Sequence, residues 1–267
     1  MSIRSLALSL LILLPVPAAA IDPGVASGRY SDDGVELSVS HAIALRQDND
    51  EGLLTDGPEM RVVVSDVEVL PEALHGVAFL PVETMAREGK VRGLLFRFDP
   101  ADRKALRVTI LAKPADPATS FATVTMTDSE GVWRKLLASD TRVLGTLDRE
   151  TLAVDFSAPV FNDRVTADLK GPAARNNEFV ALLVARAQAL GRGDVAGFKR
   201  MSTRRSAARL DALPPEYLSA MRGQAGAMAA EYGKITRIVV RSDTAIALLP
   251  DRSWVSFIHE DGAWKVE

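Results

Sequence analysis

Few side chains in the sequence could act as a general base, a nucleophile or a metal ligand. The three histidines, His41, His75 and His259, lie far apart, and there is no cysteine. The chain therefore has no thiolate nucleophile, no disulfide and no cysteine-based metal site. His259 precedes Glu260 and Asp261, a combination that could transfer protons. The following Asp-Gly pair instead favours a hairpin end exposed to solvent.

The short motifs that organise common catalytic sites are also missing from the sequence. It contains no HExxH zinc motif, no GxSxG nucleophile turn and no GxxxxGK phosphate loop. We therefore expect a protein without catalytic residues, metal or cofactor, and keep an enzyme as the alternative.

The first twenty residues have the pattern of a secretory signal peptide. Arg4 supplies a short basic region, Leu6–Leu14 form an apolar run, and Ala18 and Ala20 are small residues at the positions that signal peptidase reads. The run is shorter than the roughly 20 residues of a transmembrane helix. We expect cleavage near Ala20 and export to the periplasm, without the cleavage-site cysteine of a lipoprotein. A buried N-terminal helix is the alternative.

Charge divides the remaining chain into two unequal parts. Residues 21–174 carry 17 basic and 25 acidic side chains, a net charge of −8, whereas residues 175–267 carry 14 basic and 10 acidic, a net charge of +4. Such an asymmetry indicates two modules. The prediction is an acidic β-rich module over 21–162, a linker over 163–177 and a second module over 178–267.

The first module shows the two-residue periodicity of half-buried strands. Apolar residues alternate with other residues at four places, Val35–Val39, Leu106–Ile110, Ala122–Met126 and Leu152–Phe156. One short helix is expected over Val82–Glu88. Many short strands separated by turn residues predict an antiparallel sandwich or barrel-like module.

The second module begins with helical periodicity and ends with strands. Helices are predicted from Phe179 to Leu190, from Val195 to Met201 behind an Asp194 cap, and from Pro215 to Tyr232. Alternating runs then follow to the last strand, Ala263–Glu267. The chain as a whole is therefore predicted to be α+β.

Two segments of this module resemble the nuclear transport factor two-like (SnoaL-like) family. They are ALGRGDVAGF at Ala189–Phe198 and the terminal DGAWKV at Asp261–Val266. The resemblance implies a cone-shaped α+β module, with helices packed on a curved antiparallel sheet around a pocket, and dimers formed through the sheet. The first module is loosely similar to β-rich modules of bacterial envelope proteins.

Two groups of residues in the second module are candidates for binding. An apolar pocket for a small molecule, or simply a packed core, is predicted from Phe179, Tyr217, Met221, Met228, Trp254 and Phe257. Glu231 and Asp243 are the acids that could serve there as a general base. A basic patch that contacts an anionic partner, or is a solvated surface, is predicted from Lys199, Arg200, Arg204, Arg205 and Arg209.

The leading functional hypothesis is a non-catalytic exported protein that binds another protein of the envelope, with an immunity protein as one variant. The alternative is a carrier or enzyme for a small apolar ligand. Nucleic acid is not an expected partner of an exported protein with a pI near 5.8. No segment after the leader predicts a membrane span.

Overall fold

The computed structural model describes residues 23–267 except 33, 50–56, 77–79, 103–104, 115–119, 128–131 and 252. Of these residues, 45% lie in strands and 28% in helices. The strands form two sheets, one of nine and one of five strands.

The strands of the first sheet are β1 (Val25–Asp32), β2 (Val35–Asn49), β3 (Gly57–Ser65), β4 (Gly93–Phe98), β5 (Ala105–Leu111), β6 (Thr123–Thr127), β7 (Lys135–Ala138), β8 (Arg142–Asp148) and β9 (Leu152–Asp163). The second sheet contains β10 (Val165–Lys170), β11 (Arg237–Arg241), β12 (Thr244–Leu248), β13 (Trp254–Glu260) and β14 (Ala263–Val266). The helices are α1 (Pro81–Arg87), α2 (Pro172–Arg175), α3 (Glu178–Gly191), α4 (Val195–Arg200), α5 (Arg204–Asp211) and α6 (Pro215–Tyr232), with a 3₁₀ turn at Pro71–Leu74.

The first sheet is curled because its two edge strands are neighbours in the sequence. The strand order is β6-β5-β4-β3-β2-β1-β9-β8-β7, so β6 and β7 lie at opposite edges but are joined by the short segment 128–134. In a flat sheet, eight spacings of about 4.8 Å would place these edges about 38 Å apart. The connecting segment reaches less than about 30 Å even when fully extended. The sheet must therefore bend round on itself.

Contacts across the interior confirm this curvature. Phe96 on β4 and Phe156 on β9 are separated by three strands in the sheet, yet their ring centroids are 5.7 Å apart. Trp133 lies against both rings, with centroid distances of 5.9 and 6.1 Å. The alternating apolar residues of the strands meet on this concave face and form one continuous core. The first sheet thus buries its own inner face.

The outer face of the first sheet is covered over its central strands. The 3₁₀ turn and α1 place a second apolar cluster, which includes Leu74, Val82 and Ala86, over β2 to β5. Helix α1 begins at a proline, and the Glu83 carboxylate accepts a hydrogen bond of 3.0 Å from the Leu80 amide. The outer side chains of β1, β9, β8 and β7 are, by contrast, mostly exposed or half-buried.

The second sheet is antiparallel, with strand order β10-β11-β12-β13-β14. Its apolar face packs against α3, and α3 packs against α6. Asn177 caps α3 by accepting hydrogen bonds from the amides of Phe179 and Val180, at 2.9 and 3.2 Å. Asp194 caps α4, as predicted, by accepting one from Gly197 at 2.7 Å.

The predicted fold class is wrong. We expected an α+β chain in which a sandwich or barrel-like module precedes a cone-shaped module of helices on a curved sheet. The structure is mostly strand, and its larger part is one open, curled nine-stranded sheet. The expectation failed because two-residue periodicity identifies strands but does not show that one sheet can cover its own face. The segment predicted as a linker, 163–177, contains β10 and α2.

Candidate functional site

The six residues predicted to line a pocket lie in different surroundings. Phe179 and Phe257 pack edge to face in the core, with ring centroids 4.9 Å apart. Met221 belongs to a separate cluster around Phe198. The remaining three are half-buried or exposed, Met228, Tyr217 and Trp254. The structure thus brings two of the six together.

The predicted basic patch is largely neutralised by nearby carboxylates. Lys199 pairs with Asp211, Arg204 pairs with Asp261, and Arg205 pairs with Glu267 at 3.1 Å. For Arg200 and Arg209, no ion pair occurs among the described residues. The patch is therefore a network of ion pairs with two cations at its margin.

The residues considered for proton transfer are also dispersed. His259 is exposed and lies beside Trp264, with ring centroids 5.3 Å apart. His75 is buried, and its Nδ1 has no hydrogen bond within the described part of the chain. Glu231 is exposed and pairs with Lys234, and the Asp243 side chain is exposed. Within the described residues, no group of three or more histidines, aspartates or glutamates could hold a metal ion.

A small apolar pocket, absent from the sequence-based prediction, lies where the chain enters the first sheet. It has a volume of about 220 Å³ and is lined by side chains of β2, β9 and the segment before the 3₁₀ turn, including Ile43, Val69, Leu70 and Phe161. Its polar side chains are His41, Ser65 and Glu68. The Ser65 hydroxyl is already engaged, since it donates a hydrogen bond of 2.7 Å to the Val67 carbonyl.

Gly24 fixes the path of the chain beside this pocket, which we name the entry pocket. A Cβ at Gly24 would lie 1.7 Å from the Ala42 carbonyl oxygen and 2.7 Å from Cδ of Pro159. Only glycine fits this approach without displacing the backbone. The backbone at Gly24 is therefore wedged between β2 and β9, and this contact positions Pro23 in the pocket wall.

Exposed apolar side chains lie in the wall of the entry pocket or next to it in sequence. Leu70, in the wall, is 66% exposed, and Val25 and Val67, each next to a wall residue, are 58% and 40% exposed. Large apolar side chains with this exposure are unremarkable singly, but a group at a concave pocket is typical of an interaction site. Glu68 in the wall is also exposed, as are Asp66 and Glu72 beside wall residues in the sequence, so acidic side chains accompany the apolar ones.

The outer face of β1, β9 and β8 continues from Val25 as a shallow depression. Two adjoining parts of it have volumes of about 480 and 440 Å³ and share Ser27, Thr146 and Asp155. Thr146 donates a hydrogen bond of 2.6 Å to Asp155. This surface consists mainly of short side chains and can accept a flat partner surface.

A buried polar contact joins the two sheets. The Asp163 carboxylate, at the end of β9, accepts hydrogen bonds from the Asp243 amide at 3.0 Å and from the Thr244 hydroxyl. Arg241 donates from Nε and Nη2 to the Asp48 carbonyl, at 2.8 and 2.6 Å. Burial raises the pKa of Asp163, although its two hydrogen bonds and the nearby His75 oppose this.

Comparison with known proteins assigns neither a family nor a function to the chain. No family model, curated protein or solved structure matches the chain. The resemblance to nuclear transport factor two-like proteins stays a prediction. In the part of the chain that the structure describes, no helix is long and apolar enough to cross a membrane.

Proposed function

We propose that the protein is an exported, non-catalytic binding protein that captures a protein partner of the cell envelope at the entry pocket. The observation that carries this proposal is the small pocket with exposed Leu70 in its wall and exposed Val25 and Val67 next to wall residues in the sequence. This surface would be the docking site, and the adjoining face of β1, β9 and β8 would extend it.

The size of the entry pocket favours a protein partner over a small ligand. Ligand pockets typically enclose about 300–1,000 Å³, whereas the entry pocket encloses about 220 Å³. A volume below that range suits a single apolar side chain. Interfaces commonly use one such anchor in a central pocket, surrounded by contacts that exclude water.

The charge beside the entry pocket indicates what the partner carries next to its anchor. Glu68 in the pocket wall is exposed, Asp66 and Glu72 beside wall residues in the sequence are exposed too, and residues 21–174 have a net charge of −8. Charge complementarity mainly accelerates association and selects partners. We therefore propose a partner that presents an aliphatic or aromatic side chain flanked by lysine or arginine.

Export is part of the same proposal and rests on the leader residues. Cleavage after Ala20 would begin the mature chain at Ile21, two residues before Pro23 in the pocket wall. N-terminal sequencing of protein recovered from the periplasm should read Ile-Asp-Pro-Gly. Recovery of the uncleaved chain from the cytoplasm would contradict export.

Site-specific photocrosslinking in intact cells tests the docking site. A photoreactive amino acid at Val67 should form an adduct with one partner protein, and Leu70→Asp in the same chain should abolish that adduct. Leu70 is two-thirds exposed, so its substitution should leave folding intact. The matched control is the same photoreactive group at Tyr217, which is 59% exposed on α6.

Three outcomes would refute the proposed docking site. The first is an adduct at Val67 that persists in the Leu70→Asp variant, and the second is an equal yield of the same adduct from position 217. The third is an adduct with twice the mass of the chain, because that would show a second copy at the pocket.

A further inference from the structure

Helix α3 presents one charged residue, Arg186, on the face that otherwise packs into the core. Phe179, Leu183 and Leu190 on this face are each at most 4% exposed. Arg186 follows Leu183 by three residues and precedes Leu190 by four, so it belongs to the same buried stripe. Burial removes part of the hydration of this guanidinium, so contacts within the fold must replace what is lost.

Two contacts hold the Arg186 guanidinium in a fixed orientation. It stacks over the ring of Phe198, with 4.0 Å between Cζ and the ring centroid. Its Nε donates a hydrogen bond of 2.9 Å to the Ser202 hydroxyl oxygen. That hydroxyl donates its own proton to the Phe198 carbonyl, at 2.9 Å, and so presents a lone pair to Arg186.

The outer end of the same guanidinium has no acceptor. Among the described residues, neither Nη nitrogen of Arg186 forms a hydrogen bond and no carboxylate pairs with it, although neither nitrogen is sealed from solvent. Other buried arginines have such acceptors. Arg61 pairs with Glu59, and Arg205 pairs with Glu267.

The electrostatics around Arg186 favour an anion. Burial lowers the pKa of Arg186 to about 10, so the side chain remains protonated at neutral pH. Tyr232, half-buried at the end of α6, is the titratable side chain whose charge interacts with it. Residues 175–267 have a net charge of +4. A partly buried cation without a counter-charge is costly, and an anion from outside would remove that cost.

We propose that Arg186 forms a binding site for an oxyanion, either a carboxylate or a phosphate group. The two Nη nitrogens would bind two oxygens of the anion in the fork geometry of arginine. Phe198 and Ser202 position the fork before the anion arrives, which reduces the entropy lost on binding. This site is separate from the entry pocket and does not depend on the proposed function.

Anion titration of the mature protein tests the site. Calorimetry and thermal unfolding would be recorded with sodium phosphate and, separately, with sodium acetate, at ionic strength held constant with sodium chloride. Either anion should bind and raise the Tm, and Arg186→Met should weaken that binding at least tenfold. The matched control is Arg175→Met, which removes the same charge from an exposed position outside the predicted basic patch and should bind like the wild type.

A further variant keeps the test informative if Arg186→Met does not fold. Arg186→Lys retains the charge but loses the planar fork of the guanidinium, and should bind several-fold more weakly than the wild type. Stronger binding of phosphate than acetate would assign a phosphorylated ligand, and the reverse order would assign a carboxylate.

The proposal is overturned if neither anion affects the wild-type protein beyond the chloride reference. It is equally overturned if Arg186→Lys, or a folded Arg186→Met, binds the anions as tightly as Arg175→Met does. In that case the anions bind elsewhere on the basic module.

Discussion

Replacing Asp163 with alanine should destabilise the contact between the two sheets. The carboxylate is fully buried and accepts hydrogen bonds from the Asp243 amide and the Thr244 hydroxyl. Without it, both donors lose their acceptor. Leaving a buried donor unsatisfied costs about 1–3 kcal/mol, so we expect a total loss of about 2–4 kcal/mol in the free energy of unfolding.

Urea denaturation followed by circular dichroism would measure this loss. Thr244→Val removes one of the two donors and should cost about 1–2 kcal/mol. The double variant Asp163→Ala, Thr244→Val should lose less than the sum of the single losses, because the two residues share one bond. A loss below about 0.5 kcal/mol for Asp163→Ala, the range of ordinary surface substitutions, would refute the role assigned to this carboxylate.

The free energy of unfolding should depend on pH in a direction that the raised pKa of Asp163 determines. Burial raises the pKa of Asp163 above its ordinary value of 3.8, so the folded protein holds this proton more tightly than the unfolded chain does. The part of the stability that depends on protonation of this carboxyl is therefore present below pH 3.8 and is lost as the pH rises through the raised pKa. Asp163→Asn lacks the titration, so its stability relative to the wild type should increase from pH 3.5 to 7. A difference in the free energy of unfolding between the two proteins that stays constant over this pH range would contradict the raised pKa.

Three further substitutions test the backbone and the second contact between the sheets. Gly28→Ala should cost at least about 2 kcal/mol by urea denaturation, because φ is +143° and a Cβ would lie 2.2 Å from the Ala153 carbonyl oxygen. Gly223→Ala on α6, where a Cβ meets nothing within 4 Å, should instead stabilise the protein by about 0.5–1 kcal/mol, and a loss there would contradict the open surroundings. Arg241→Lys should lower the melting temperature, because an ammonium cannot reproduce the two bonds from Nε and Nη2 to the Asp48 carbonyl; an unchanged melting temperature would contradict that role.

The sequence predicted those elements whose local pattern determines them. The helices expected at 82–88, 179–190 and 215–232 are confirmed within one residue at each end, since caps and prolines act over a single turn. Helix α5 was not predicted, although Thr203 caps it with a hydrogen bond from the Ser206 amide. The alternating runs identified strands, but strand order depends on pairings distant in sequence.

The candidate sites were harder to predict because they depend on distant parts of the chain. The entry pocket combines Pro23, Leu70 and Phe161, which no local pattern connects. The sequence pattern predicts Asp163 in a linker, because its partners, Asp243 and Thr244, lie far along the chain. Arg186 was not predicted either, although a charged residue in the apolar stripe of a predicted helix is a signal that the sequence itself contains.

The opposite charges of the modules, −8 and +4, suggest that electrostatic attraction holds them together, but the structure assigns that role to buried bonds. Asp163 binds the Asp243 amide and the Thr244 hydroxyl, and Arg241 binds the Asp48 carbonyl. Asp163, Thr244 and Arg241 are each at most 3% exposed. Salt screens exposed charges beyond about 8–10 Å but has much less effect on buried pairs. Small-angle X-ray scattering should therefore give the same radius of gyration in low salt and in about 1 M sodium chloride, where the Debye length is about 3 Å. An expansion at high salt would show that net charge, and not the buried contact, holds the two sheets together.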